Sequence, residues 1–148
     1  MSESITAVWH FRQAPEQVWR ALSEAERIAA WLMPNDFQAV VGHRFTFRTQ
    51  PIPPHFDGIV QCEVLAVDPP RRLVYAWRGG GLDTQVRFEL AADGDGTVLH
   101  FEHSGFDTSQ PGQAAALKGM EPGWSRHIAA RLAAVVESLG QASQAPTR

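Results

Sequence analysis

The stretch from Ile5 to Leu22 constrains the fold most, because the hydrophobic spacing changes period there at a defined breaker. Ile5, Ala7, Trp9 and Phe11 recur at every second position, the spacing of one strand face. Ala14-Pro15 ends that alternation, and Val18, Trp19 and Leu22 then share the apolar face of a helix. Pro15 suits the first helical turn, where its missing N–H has no partner to lose. A strand that runs straight into a helix points to a mixed α and β fold.

A chain of 148 residues suits one domain with one core, read as 1–140, followed by a small polar tail at 141–148 expected to be disordered. Hydrophobic content of 44% and charged content of 20% are ordinary for a soluble globular protein. The net charge of -3 leaves no basic footprint for nucleic acid. No apolar run reaches the about 20 residues that a membrane span requires. The first residues also lack a basic region followed by an apolar stretch, so a cytoplasmic protein is expected. The single cysteine, Cys62, excludes an internal disulfide and fits a reducing compartment.

Helical spacing predicts a first helix over Pro15 to Leu22 and a second over Glu24 to Trp31, with Ser23 as its N-cap and Glu26 in the capping-box position. Strands are expected at Gln38 to Val41, His43 to Thr49, Gly58 to Val67, Arg72 to Trp77, Asp83 to Leu90 and Thr97 to Ser104. Asp93-Gly94-Asp95-Gly96 reads as a hairpin turn, and the prolines at 51, 53 and 54 as a stiff loop. Gln110 to Lys118 is expected as a short separate helix, because Gly119, Pro122 and Gly123 interrupt the pattern. The main helix then starts near Pro122, with Trp124, Ile128, Leu132, Val135 and Leu139 as one core-facing stripe.

Three segments carry a resemblance to a known family. They are Phe11 to Leu22, the run Glu63 to Trp77 with its Asp68-Pro69-Pro70 turn, and Gly123-Trp124 opening the last helix. Together they resemble the SRPBCC or START-like superfamily over residues 5 to 139. Within it the nearest pattern is the heat-shock-protein-90 ATPase activator homologue, C-terminal-domain-like, family. The resemblance implies a helix-grip fold of class α+β. In that fold a curved antiparallel sheet of six to seven strands wraps a long C-terminal helix, with two short helices after the first strand.

It also implies a cavity between the sheet, the long helix and the short helices. By face parity Trp9, Phe45, Phe47, Tyr75, Trp77, Phe88, Phe101 and His103 are expected to look into it from the sheet. Trp124, His127, Ile128 and Arg131 would face them from the helix. An apolar hollow with a few polar groups is the usual form of a small-molecule site. The same rings could instead fill a dry core, as aromatics commonly do.

Few residues offer catalysis. His103 and His127 could approach each other as polar anchors for a ligand. His100 and His103 point to opposite strand faces and cannot share a metal ion directly, so no metal or other cofactor is expected. Cys62 reads as a buried inert thiol, Gly79 to Gly81 precedes a strand and lacks a phosphate-loop context, and Arg71 and Arg72 read as surface charges. The loop Thr49 to Asp57, with Ile52, His55 and Phe56, could gate the cavity.

Noncatalytic binding of a lipophilic or aromatic small molecule is the leading functional reading. A chaperone-regulating module comes from the family resemblance. A cyclase, dehydratase or hydrolase would use Tyr75, His103 and His127 as acid or base. The chain is read as a monomer, or as a homodimer formed through a strand edge.

Overall fold

A computed structural model describes residues 2–51 and 57–144. Its elements are β1 (Ser2–Phe11), α1 (Pro15–Ser23), α2 (Ala25–Trp31), β2 (Arg44–Arg48), β3 (Ile59–Asp68) and β4 (Arg72–Gly79). They continue with β5 (Leu82–Asp93), β6 (Gly96–Asp107), α3 (Pro111–Pro122), a π-helical turn (Gly123–Ile128) and α4 (Ala129–Gln144). The six strands form one antiparallel sheet in the order β1-β6-β5-β4-β3-β2. Its curved inner face closes on the helices, so the fold is the α+β helix grip.

The opening switch forms as its residues dictate. Pro15 occupies the first helical turn, and Val18, Trp19, Ala21 and Leu22 are buried along one face. Gln17 Nε2 donates to the Val136 carbonyl at 2.8 Å, tying α1 to α4. The Trp31 indole of α2 donates to the Ala21 carbonyl at 2.8 Å, so a buried ring is satisfied by the preceding helix.

Several local expectations are corrected. Ser23 is not an N-cap: it ends α1, and its hydroxyl donates back to the Trp19 carbonyl at 2.8 Å. Glu24 precedes α2 without a side-chain cap. Gln38 to Val41 is no strand. Asn35 diverts the local backbone, accepting from the Phe37 N–H at 3.0 Å and donating to the Ala25 and Met33 carbonyls. Phe37 then turns into the core while Val40 and Val41 stay exposed.

The last helices also differ. Pro122 and Gly123 do not break the chain into separate helices; the helical path continues through them as a π turn. Pro122 lacks an N–H, so the regular bond pattern is already interrupted at that point, and the wider turn absorbs the defect. The buried stripe is Trp124, Leu132, Val136 and Leu139, with Ile128 and Val135 only partly covered. The backbone of 141–144 is helical, and 145–148 lie outside the described residues.

One glycine sets up the interior. β1 and β6 pair Ser4 with Ser104 and Glu3 with Phe106, leaving Gly105 as the extra residue of a bulge. Its φ of 99° suits glycine and few other residues. The bulge shifts face parity by one, so His103 and Phe106 both point inward, with ring centroids 4.6 Å apart.

Candidate functional site

β4, β5 and β6 bring one polar thread into an otherwise ring-lined interior. His103 is fully buried, and so is Trp124 of the π turn. The Trp124 indole N–H donates to His103 Nδ1 at 3.2 Å. An indole nitrogen can only donate, so Nδ1 carries no proton and Nε2 does. The Nε2 proton goes to Thr84 Oγ1 at 2.8 Å, and the Thr84 hydroxyl donates in turn to the Trp77 carbonyl at 2.8 Å. Every donor in this thread has an acceptor. Burial lowers the His103 pKa from 6.5 to about 3, so the ring is neutral at ordinary pH.

Aromatic rings surround the thread. Trp124 lies 4.4 Å from Phe101 and 5.7 Å from Trp77, centroid to centroid. Phe101 continues to Trp9, stacked at 5.2 Å, and to Phe88 at 5.3 Å. Phe47 meets Trp77 at 5.4 Å and Phe45 at 5.4 Å, and Phe45 reaches Tyr75 at 5.3 Å. Trp9 is half-buried, and the other rings named here are buried. In this conformation the expected cavity wall packs ring against ring, and Trp31, Phe37 and Trp124 reach it from outside the sheet. The reason is geometric: the rings are large enough to meet across the curved sheet, which a face-parity argument does not measure.

Of the expected helix residues, Trp124 joins the site and Ile128 lies half-buried beside it. His127 and Arg131 are exposed and do not face His103. The π turn rotates them outward while it turns Trp124 in. His103 therefore pairs with Trp124 and Thr84, not with His127. Thr84 was readable, since it shares strand parity with Val86 and Phe88. Phe106 was not, because the bulge at Gly105 reverses the parity that alternation assumes. The suggested gate residues Ile52, His55 and Phe56 lie outside the described residues.

The acid and base set of the enzymatic reading is not assembled. Burial pushes the Tyr75 hydroxyl well above its usual pKa, with a smaller contribution from Cys62, and His127 is on the surface. Among the described residues, no group of three or more His, Cys, Asp or Glu is placed to hold a metal ion. Arg71 and Arg72 are exposed and pair with Asp68 and Glu89, both at 3.5 Å.

Cys62 is buried in β3, and burial pushes its thiol far up, outweighing the lowering effect of Arg78. A disulfide reagent at pH 8 is expected to modify the folded chain at least about tenfold more slowly than the urea-unfolded chain, since only the thiolate reacts. Equal rates, followed by thiol release, would contradict this burial.

The cover over the site is lightly held. α3 contains no fully buried residue, and from Pro111 to Arg131 Trp124 alone is buried. Leu117 and Met120 pack only partly against the core. A hollow of about 520 Å³ lies between α3 and the start of β1, lined by Glu3, Ala114, Leu117 and Lys118 among others.

The sequence matches the family described as Activator of Hsp90 ATPase homolog 1-like protein over residues 12–137. The crystal structure of protein MLL2253 from Mesorhizobium loti is 33% identical, with a TM-score of 0.81 over 92% of this chain and 98% of that one. The solution structure of protein BH1534 from Bacillus halodurans is 30% identical, with a TM-score of 0.72 over 90% of this chain and 96% of that one. The solution structure of the Aha1 dimer from Colwellia psychrerythraea shares the fold at 19% identity, with a TM-score of 0.67 over 95% of both chains. No curated protein matches the chain. No helix among the described residues is long and apolar enough to cross a membrane, which says nothing of β-barrels.

Proposed function

This chain belongs to the Activator of Hsp90 ATPase homolog 1-like family, and from that premise we propose that it binds a small apolar or aromatic molecule without turning it over. The ligand occupies the interior between β4, β5, β6 and the segment 111–128, which opens to admit it. One observation supports this reading above the others. A ring-lined interior with a single buried polar thread lies under a cover that one buried side chain, Trp124, pins in place. A closed conformation with a loosely held cover reconciles ring-on-ring packing with ligand binding, since covers of binding sites are drawn from the less stable parts of a fold.

The test is thermal unfolding with a panel of hydroxylated aromatics, fatty acids and polyketide-like compounds. A ligand at a hundred times its Kd adds about 2.7 kcal/mol. For a domain this size that raises Tm by roughly 5–10 °C. No rise across the panel would remove the reading. The chaperone reading draws its support from the family description alone. An increase in chaperone ATPase turnover on adding this chain would favour it.

A further inference from the structure

Resting on the proposed binding function, the geometry also points to the kind of molecule bound. We propose that Trp124 is a built-in occupant of the ligand position. The ligand is then a flat aromatic molecule bearing one hydrogen-bond donor, a phenol O–H or a ring N–H, that replaces the indole when the π turn swings out. Three observations converge on the indole. Its ring lies 4.4 Å from Phe101 and 5.7 Å from Trp77, inclined to them by 36° and 62°, so the position is bounded by aromatic rings on two sides. Its N–H meets His103 Nδ1, which the Thr84 relay holds as an acceptor. It is also the one buried side chain between Pro111 and Arg131, so its departure removes the cover's deepest anchor and leaves Gln113's bonds to Asp107 and Gly81 and the partly buried Leu117, Met120 and Ile128.

The tautomer decides the ligand chemistry. Thr84 spends its own hydrogen on the Trp77 carbonyl, so it can only accept from His103 Nε2. His103 Nδ1 therefore faces the slot without a proton. An incoming group without a donor would leave that nitrogen buried and unpaired, which carries a desolvation penalty. An ionised carboxylate would set a negative charge against a lone pair in an apolar site, so an acid has to enter protonated, whereas phenols and indoles bring their donor at neutral pH.

The experiment follows the side-chain N–H signals of the ¹⁵N-labelled full chain. The Trp124 signal is identified by its loss in Trp124→Phe. The probes are indole and 2-naphthol, each against its methylated counterpart, 1-methylindole and 2-methoxynaphthalene. Indole or 2-naphthol is expected to move the Trp124 signal toward its solvent-exposed position. Each donor should bind about tenfold more tightly than its methylated partner, the usual worth of one buried hydrogen bond. Trp124→Phe keeps a ring in the slot and leaves Nδ1 unpaired, so it should bind the donor probes more tightly than the wild type. Equal affinities for methylated and unmethylated probes would overturn the inference. So would binding that leaves the Trp124 signal in place, although small-molecule binding itself would then stand. Failure of these probes alongside a successful thermal shift by a donor-free compound would overturn the donor claim alone. Failure of every compound in both assays would remove both proposals.

Discussion

Trp124→Ala is expected to destabilise the folded chain by about 3–5 kcal/mol, the range for emptying a buried tryptophan site. Two losses combine at this position. The indole leaves a slot bounded by Phe101 and Trp77, whose facing atoms lose their packing partners. His103 Nδ1 also loses its donor inside an apolar interior. The consequence is local as well as global, because no other buried side chain holds the segment from Pro111 to Arg131. Urea unfolding should show the reduced midpoint, and the far-ultraviolet helical signal of the native baseline should fall as α3 detaches. Trp124→Phe should recover most of the packing contribution. A loss below about 1 kcal/mol for the alanine variant would mean that the cover is held by something other than this side chain.

Acid should destabilise the chain through His103. In the unfolded state this ring takes up a proton below its ordinary pKa of 6.5, whereas in the folded state it does so only near pH 3. Between those values the unfolded chain binds the extra proton. Stability present above pH 6.5 is therefore lost as pH falls toward 3. The full window corresponds to roughly 4–5 kcal/mol from His103 alone, and carboxylates that titrate in its lower part add their own contribution. His103→Gln separates the two sources. Its amide can accept from Trp124 and donate to Thr84, and it does not titrate. Denaturation midpoints at a series of pH values should fall less steeply for the glutamine variant than for the wild type. Parallel curves would show that His103 does not remain neutral in the folded chain.

The legible parts of the fold were those where one period governs a stretch. The β1-to-α1 switch at Pro15 was readable because a proline, a strand period and a helix period coincide within a few residues. The inward set Phe45, Phe47, Tyr75, Trp77, Phe88, Phe101 and His103 follows from parity within unbroken strands. The misread parts are those where side chains compete with the backbone pattern. Asn35 ties down the backbone before Gln38, where local bonds from Val40 to Gln38 and His43 to Val40 then close turns, and the Ser23 hydroxyl bonds backward to Trp19 instead of capping forward. Gly105 moves Phe106 onto the inner face, which strict alternation places outside. The π turn has the same effect on the helix, replacing His127 with an arrangement in which only Trp124 faces His103. Ring volumes were legible as composition, but whether the rings leave a gap depends on the sheet's curvature.

The central claim is that the cover opens over a closed interior, and native-state hydrogen exchange tests it most directly. Amides of α3 and the π turn are expected to exchange at least roughly a hundredfold faster than those of β5 and β6, and to slow when a binding aromatic is added. Exchange of α3 at the same rate as the central strands, with global unfolding as its only route, would contradict the account.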